Sequence, residues 1–337
     1  MRNCQEGEYM RVTNKMMSDN MLRNLNTNLR DMNHTQNKLS TGKRILSPSD
    51  DPAGTARTLD LRTEETELAK YKQNVDDADS WLTSTDSALD EVDDVLQRVR
   101  ELTIYAASDS VDQQSREALA AEVMELKEHL VEVANTDFGG KHIFGGHNTT
   151  DKPFDMDDVE EMNGEEGEYN TFDVEYSGNR GRLNTDISSD VTISKNLHGE
   201  EVFGSFDEEE NGENGENGDE AISQNMFKML DGVYDSMMED DGGGTEKLSN
   251  EHLQDLDHWI ENNLDNRAEV GARQNRLELS KNRLQDIEHL TKEDLSETEE
   301  ADMAKTIMDL KSQENVHRMA LSAGARIIQP TLLDFLQ

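Results

Sequence analysis

The chain has 337 residues, of which 74 are acidic and 33 basic, for a net charge of −41, and it is only 33% hydrophobic and 5% aromatic. Such a balance excludes nucleic acid as a partner, because neutralising phosphates takes clusters of Lys and Arg and the sequence has none. No run approaches the 18 or more apolar residues of a membrane helix, and the single cysteine, Cys4, rules out an internal disulfide.

Composition this polar leans toward disorder, but the apolar residues keep strict periodicities, which disordered acidic chains do not. An acidic surface spread along every segment reads as solubility in a salty setting, where self-repulsion is screened, and so as a halophilic source. Residues 1–9, M-R-N-C-Q-E-G-E-Y, fit no periodic pattern and lack the apolar core of a secretory signal. A second Met-Arg follows at Met10, so translation is expected to begin there, with 1–9 a non-native extension.

Proline breaks helix interiors, and the four prolines, Pro48, Pro52, Pro153 and Pro330, mark boundaries between long stretches that can be helical. From Asn14 to Thr41 the residues Leu22, Leu25, Leu29, Met32 and Leu39 recur at three-four spacing, with Gly42 as the stop. Burying five such side chains is worth ~10 kcal/mol, which an isolated helix of about 40 Å cannot realise. The turn L-S-P-S-D-D-P-A-G, Leu46 to Gly54, reads as a rigid corner with capping oxygens. Asp50 and Asp51 lack the further carboxylates of a calcium or magnesium loop.

Helical spacing runs from Thr55 to Ala107 through Val75, Ala78, Leu82, Thr85, Leu89, Val92, Leu96 and Val99. After a polar break at 108–113 it continues through Leu119, Val123, Leu126, Leu130 and Val133, predicting a long antiparallel hairpin. The glycines of F-G-G-K-H-I-F-G-G-H, Phe138 to His147, read as turns beside β structure, since a phosphate loop needs a preceding strand and a Gly-Lys-Ser/Thr ending. Between Pro153 and Gly204, T-F-D-V-E-Y alternates and R-L-N-T-D-I-S-S-D-V-T-I-S is rich in β-branched residues, predicting a small β domain. It closes on an acidic loop, Asp207 to Glu220, that repeats E-N-G.

Helical spacing resumes at Met226, Leu230, Val233 and Met237. A Gly242-Gly243-Gly244 break follows, then a helix from about Leu248 to Leu290. The last helix carries Met303, Ile307, Leu310, Glu314, His317, Leu321, Gly324 and Ile328 at alternating four and three, a seam polar or small in its middle. Beyond Pro330 lies an apolar tail, Leu332, Leu333, Phe335 and Leu336. The fold class is therefore mainly α with a β insert: long coiled-coil-like helices from both chain ends packed together, with a small β domain in the middle.

Reactive constellations are not apparent. His142 and His147 are five apart across a glycine turn, unlike a helical zinc pair, and H-E-x-x-H, C-x-x-C and G-x-S-x-G do not occur. Asn33 and Asn148 match a glycosylation pattern, the first inside a predicted helix. Trp81 and Trp259 read as packing residues. Catalytic, cofactor-binding and metal-ligating residues are thus none, and the candidate interface is Leu22, Leu25, Leu29, Met32, Leu39, Met303, Ile307, Leu310, Leu321, Ile328, Leu332, Leu333, Phe335 and Leu336.

Taken together, M-R-V-T-N-K-M-M-S-D-N-M-L-R-N-L-N from Met10, L-S-T-G-K-R-I-L-S-P-S-D-D-P-A-G, R-V-R-E-L-T near Arg98, I-F-G-G with Pro153-Phe154, and A-R-I-I-Q-P-T-L-L-D-F-L-Q at the end resemble a known family. It is the flagellin-like family of bacterial flagellar hook–filament junction proteins, the hook-associated protein 3 family; flagellin is the alternative, and a non-flagellar coiled-coil adaptor a remoter one. The resemblance implies a structural, non-enzymatic subunit without cofactors. It implies export through the flagellar type III channel with a dedicated chaperone and without a cleaved signal, and an extracellular place at the hook–filament junction. Implied partners are copies of itself, hook-associated protein 1, flagellin and the export chaperone. The expected domains are 10–50 with 295–337 as an inner axial core, 51–140 with 221–294 as a helical bundle, and 141–220 as an outward β domain.

Overall fold

The computed structural model describes residues 14–108, 110–158, 172–206, 225–239 and 243–327. Among the described residues eight α-helices and six strands follow one another: α1 (Asn14–Thr41), α2 (Pro52–Ala106), α3 (Gln113–Ala134), β1 (Asp137–Phe138), β2 (Lys141–His142), β3 (Phe154–Asp158), β4 (Phe172–Tyr176), β5 (Asn184–Ser188), β6 (Val191–Ser194), α4 (Gly199–Phe203), α5 (Met226–Met238), α6 (Gly243–Lys247), α7 (Leu253–Glu299) and α8 (Met303–Ile327). A π-helical turn, Leu248–His252, joins α6 to α7. The molecule is mainly helical with a β-containing insertion in the middle. Its contacts define two units, the chain up to Glu67 with Ile287 onward, and Leu68–Asp286.

In the second unit α2 and α7 run antiparallel in a fixed register. Arg100 pairs with Asp257 at 2.7 Å, Arg267 with Asp90 at 2.8 Å and Lys281 with Asp76 at 2.8 Å. Beneath these exposed pairs, Val75, Leu82, Leu89 and Leu96 of α2 are buried at every seventh residue, as are Leu256, Val270, Leu277 and Leu284 of α7. Asn263 falls in the same series, fully buried, and donates its amide to the Leu89 carbonyl at 2.9 Å. The predicted hairpin of α2 and α3 is present: Arg98 meets Glu122 and Glu91 meets His129 as the two helices run past each other.

Lys127 departs from the predicted stripe on α3. Leu126 is half-buried, whereas Lys127 is fully buried, with its ammonium 2.6 Å from Asp231 on α5, 2.6 Å from the Phe172 carbonyl and 4.3 Å from the Phe172 ring centroid. Each of its contacts replaces part of the hydration that burial removes. Burial pushes the Asp231 carboxyl above its ordinary range, against the pull of Lys127.

The β residues do not form one sheet. They form three separate antiparallel hairpins, β1–β2, β3–β4 and β5–β6, the last with an irregularity between Asp186 and Ser188. The glycines of the first turn, Gly139 and Gly140, have φ of 62° and 78°, as turn glycines should. An aromatic cluster of Phe144, Phe154, Tyr176, Phe203, Phe206 and Phe227 gathers the hairpin β3–β4, α4 and α5, with ring centroids 5.0–6.1 Å apart. Trp81 and Trp259 are both buried. The acidic loop, Asp207 to Glu220, lies outside the described residues.

Two boundaries differ from expectation. Gly243 and Gly244 belong to α6 instead of breaking the chain, and a Cβ on Gly244 would lie 2.1 Å from the Ser236 carbonyl oxygen, so glycine there permits a close approach of α6 to α5. The helix expected to end near Leu290 continues to Glu299, because the polar residues beyond 290 still carry a buried Thr291 and Glu299 on one face.

Candidate assembly surface

In the first unit the two end helices pack together. Their direction is fixed at one end by the bridge between Lys43 and Glu300 and the bond from Ala301 N to the Gly42 carbonyl at 2.8 Å, and at the other by Met21 lying over Gly324. The pair is therefore antiparallel. Helix α1 stops where Gly42 takes a φ of 72° and its N–H reaches the Lys38 carbonyl.

The residues that line the seam between the helices are half-buried or buried at heptad spacing. On α1 they are Ser18, Met21, Leu25, Asn28, Met32, Thr35 and Leu39; on α8 they are Thr306, Leu310, Gln313, His317, Ala320 and Gly324. Of the candidate interface residues, Leu25, Met32, Leu39 and Leu310 lie in this seam. Among the other described candidates, Leu22 and Leu29 follow the seam residues Met21 and Asn28 by one, Thr306 takes the inward place expected of Ile307 and Ala320 that of Leu321, and Gln313 takes that of Glu314. Glu314 instead pairs with Lys311 on the same helix at 3.0 Å. Asn28 Nδ2, Gln313 Oε1 and His317 Nδ1 are buried in the seam without hydrogen-bond partners. Each such group costs about 1–3 kcal/mol and so weakens this helix pair.

Several apolar residues are left out of the seam. Leu22 is 50% exposed, Met303 45%, Ile307 46% and Leu321 49%, while Leu29 is half-buried. Each half-exposed side chain leaves roughly 1 kcal/mol of burial unrealised. A hollow of about 230 Å³ is lined by Met21, Leu22, Leu25, Leu321, Gly324 and Ala325. A second hollow between the helices is lined by Asn20, Asn24, Thr27, Asn28 and Asp31 together with Met17, Met21, Leu25, Val316 and Ala320. Ile328, Leu332, Leu333, Phe335 and Leu336 lie outside the described residues.

Where α1 turns into α2, the Leu46–Gly54 corner is built as its residues imply. Asp51 accepts from Gly54 N at 2.9 Å, capping α2, whose first residue is Pro52. Asp50 accepts from Leu46 N and Ser47 N, which hold its carboxyl below the ordinary range although burial pulls it upward. Across from this corner Glu299, only 10% exposed, receives both Lys43 at 2.5 Å and Arg62 at 2.6 Å on the same oxygen. Burial would raise its carboxyl, but the two cations outweigh it and hold it low.

Other side chains considered for chemistry have structural partners. His142 Nδ1 lies 2.8 Å from the Asn135 carbonyl, and the backbone N–H of His147 donates to Asn179. Among the described residues no group of three metal-ligating side chains converges, and no helix is long and apolar enough to cross a membrane.

Comparison with known proteins returns the same two ends. Residues 12–149 match the bacterial flagellin N-terminal helical region, and 253–336 match the bacterial flagellin C-terminal helical region. Flagellar hook-associated protein 3 of Escherichia coli is 24% identical over 276 residues, 80% of this chain and 81% of that protein. Polar flagellin E of Vibrio parahaemolyticus is 40% identical, but over 115 residues, 33% of this chain and 30% of that one. Among solved structures, the flagellar junction protein FlgL from Legionella pneumophila superposes with a TM-score of 0.55 at 16% identity, covering 72% of this chain and all of that one. With both terminal helical regions matched and the helix–insert–helix order in common, the chain belongs to the bacterial flagellin family.

Proposed function

We propose that this chain is a structural subunit of the bacterial flagellum that joins hook to filament, with no enzymatic activity. The observation that carries the reading is the α1–α8 pair: its seam holds unpartnered polar groups while Leu22, Met303, Ile307 and Leu321 are about half exposed. Such a pair gains more from neighbours than from its own contacts, the arrangement expected of a surface that orders on assembly. Similarity to hook-associated protein 3 over four-fifths of the chain favours the junction over the filament. The flagellin reading rests on higher identity confined to a third of the chain.

In this reading the subunit leaves the cell through the flagellar type III channel with an export chaperone. It assembles with copies of itself, with hook-associated protein 1 on the hook side and with flagellin on the filament side. Residues 10–50 and 295–337 form the inner axial layer, and 51–140 with 221–294 the bundle around it. Leu332→Asp or Leu333→Asp impairs incorporation while the β insert stays folded, and normal motility in those strains would count against the role of the tail. Deletion of the gene is the direct test: flagellin shed into the medium supports the reading, and normal filaments on normal hooks overturn it.

A further inference from the structure

The corner between α1 and α2 holds a hollow of about 420 Å³, lined by Lys43, Ile45, Leu46, Thr58, Arg62 and Glu299 among others. Two features set it apart. First, it carries an excess of positive charge: Lys43 and Arg62 converge on one oxygen of a single carboxylate, Glu299, whereas Arg44 and Arg57 nearby each meet a carboxylate of their own in Asp51 and Asp294. In a chain of net charge −41, the lining of this hollow holds two cations, Lys43 and Arg62, against one carboxylate, Glu299. Second, Thr58 is 9% exposed, and its hydroxyl is buried without a hydrogen-bond partner. A helical threonine ordinarily bonds the carbonyl four residues back, as Thr55 does with Asp51 at 2.8 Å. A buried hydroxyl beside two cations and an aliphatic wall of Ile45 and Leu46 matches a carboxylate on a short methylene stem: the cations neutralise the charge, the hydroxyl donates, and the wall takes the stem.

We propose that this hollow is a carboxylate-binding site, and that its occupant is a glutamate side chain of a second copy of the chain. Charge complementarity argues for the copy. Two chains of net charge −41 repel, and their contact requires places where an acidic residue of one meets a cationic excess on the other. The assignment of the occupant rests on the self-assembly proposed above; the carboxylate site does not.

The test has two arms on the full chain. The first follows the Ile45 and Leu46 methyl resonances while the monomer is titrated with glutaramate, with glutaramide, and with chloride at matched ionic strength. Glutaramate alone shifts both methyls, and Thr58→Val weakens that response about tenfold, the loss expected for a hydrogen bond to a charged group. An equal response to glutaramide or to chloride, or an unchanged response in Thr58→Val, overturns the site. The second arm mixes unlabelled and heavy-nitrogen chains, concentrates them, and applies a carbodiimide, which joins an amine to a contacting carboxylate. Lys43 coupled to Glu299 within one chain is the internal standard. Mixed-isotope links from Lys43 to a glutamate support the second copy, and same-chain links alone overturn it as the occupant even where glutaramate binds. A deletion strain with normal filaments would remove the junction role while leaving the monomer titration intact.

Discussion

Met21 on α1 lies over Gly324 on α8 so closely that a Cβ at 324 would sit 2.5 Å from the Met21 terminal methyl. The obstacle is the far end of a flexible side chain, and this decides the outcome of substitution. Gly324→Ala is expected to be neutral or stabilising: the methionine swings aside, and the helix gains up to about 1 kcal/mol of propensity. Gly324→Leu would instead force the helices apart at a cost of about 1–3 kcal/mol. Thermal melts of the two variants, with far-ultraviolet dichroism for the end helices, separate the cases; equal loss in both would show that the backbone, and not Met21, limits the approach.

Replacing the polar seam should strengthen the isolated pair. Gln313→Leu with His317→Leu removes two buried groups that lack partners. A gain of about 1–2 kcal/mol per position is expected. Limited proteolysis would then show α1 and α8 protected in the monomer. Unchanged cleavage would mean that seam polarity does not set the weakness of the pair.

The buried ion pair predicts a non-additive result. Lys127→Met leaves Asp231, three-quarters buried, without its cation, at a cost of about 3 kcal/mol. Lys127→Met combined with Asp231→Leu leaves no unpaired charge and should recover most of that loss. Urea midpoints of the wild type, both single variants and the double variant complete the cycle. A double variant as unstable as Lys127→Met would refute the desolvation account.

His252, in the π-helical turn, gives the second unit a pH response. Its Nε2 lies 2.9 Å from Ser236 Oγ on α5, and burial holds its pKa below the ordinary histidine value of 6.5 despite nearby Asp255, Glu251 and Asp235. The folded state therefore binds fewer protons here than the unfolded chain. Its contribution to stability is full above about 6.5 and is lost as pH falls through that value toward the lower folded pKa. His252→Gln should flatten the stability profile between pH 5 and pH 7, measured by denaturant midpoints. Asp231 and Asp235 carry the opposite sign, their raised carboxyls favouring the acid side, but their effect falls nearer the carboxylate range.

Several elements were legible in the sequence because local rules and tertiary packing agree there. Asn14–Thr41 was readable since Gly42 supplies the left-handed stop, and Pro52 follows a capping aspartate at the start of α2. The seam was readable only to within one residue. Periodicity assumes that apolar side chains point inward, but in the α1–α8 pair six of the thirteen inward places belong to Ser18, Asn28, Thr35, Thr306, Gln313 and His317. Lys127 was hidden for a different reason. Its partner, Asp231, is 104 residues away, and a charged residue on a helix reads as solvated until the partner is known. The strands could be found from alternation, but their pairing into three separate hairpins depends on turns and aromatic packing that no single stretch encodes.

The amide of Asn263 has one more consequence. The ion pairs along α2 and α7 are exposed and weaken in concentrated salt, and the leucines and valines beneath them repeat every seven residues, so they would fit almost as well after sliding one repeat. The bond from Asn263 to the Leu89 carbonyl does not repeat. A slip of one heptad would displace one helix along the other by about 10 Å and bury that amide against hydrocarbon. This side chain works as a notch on a ruler: it fixes where α7 stands along α2.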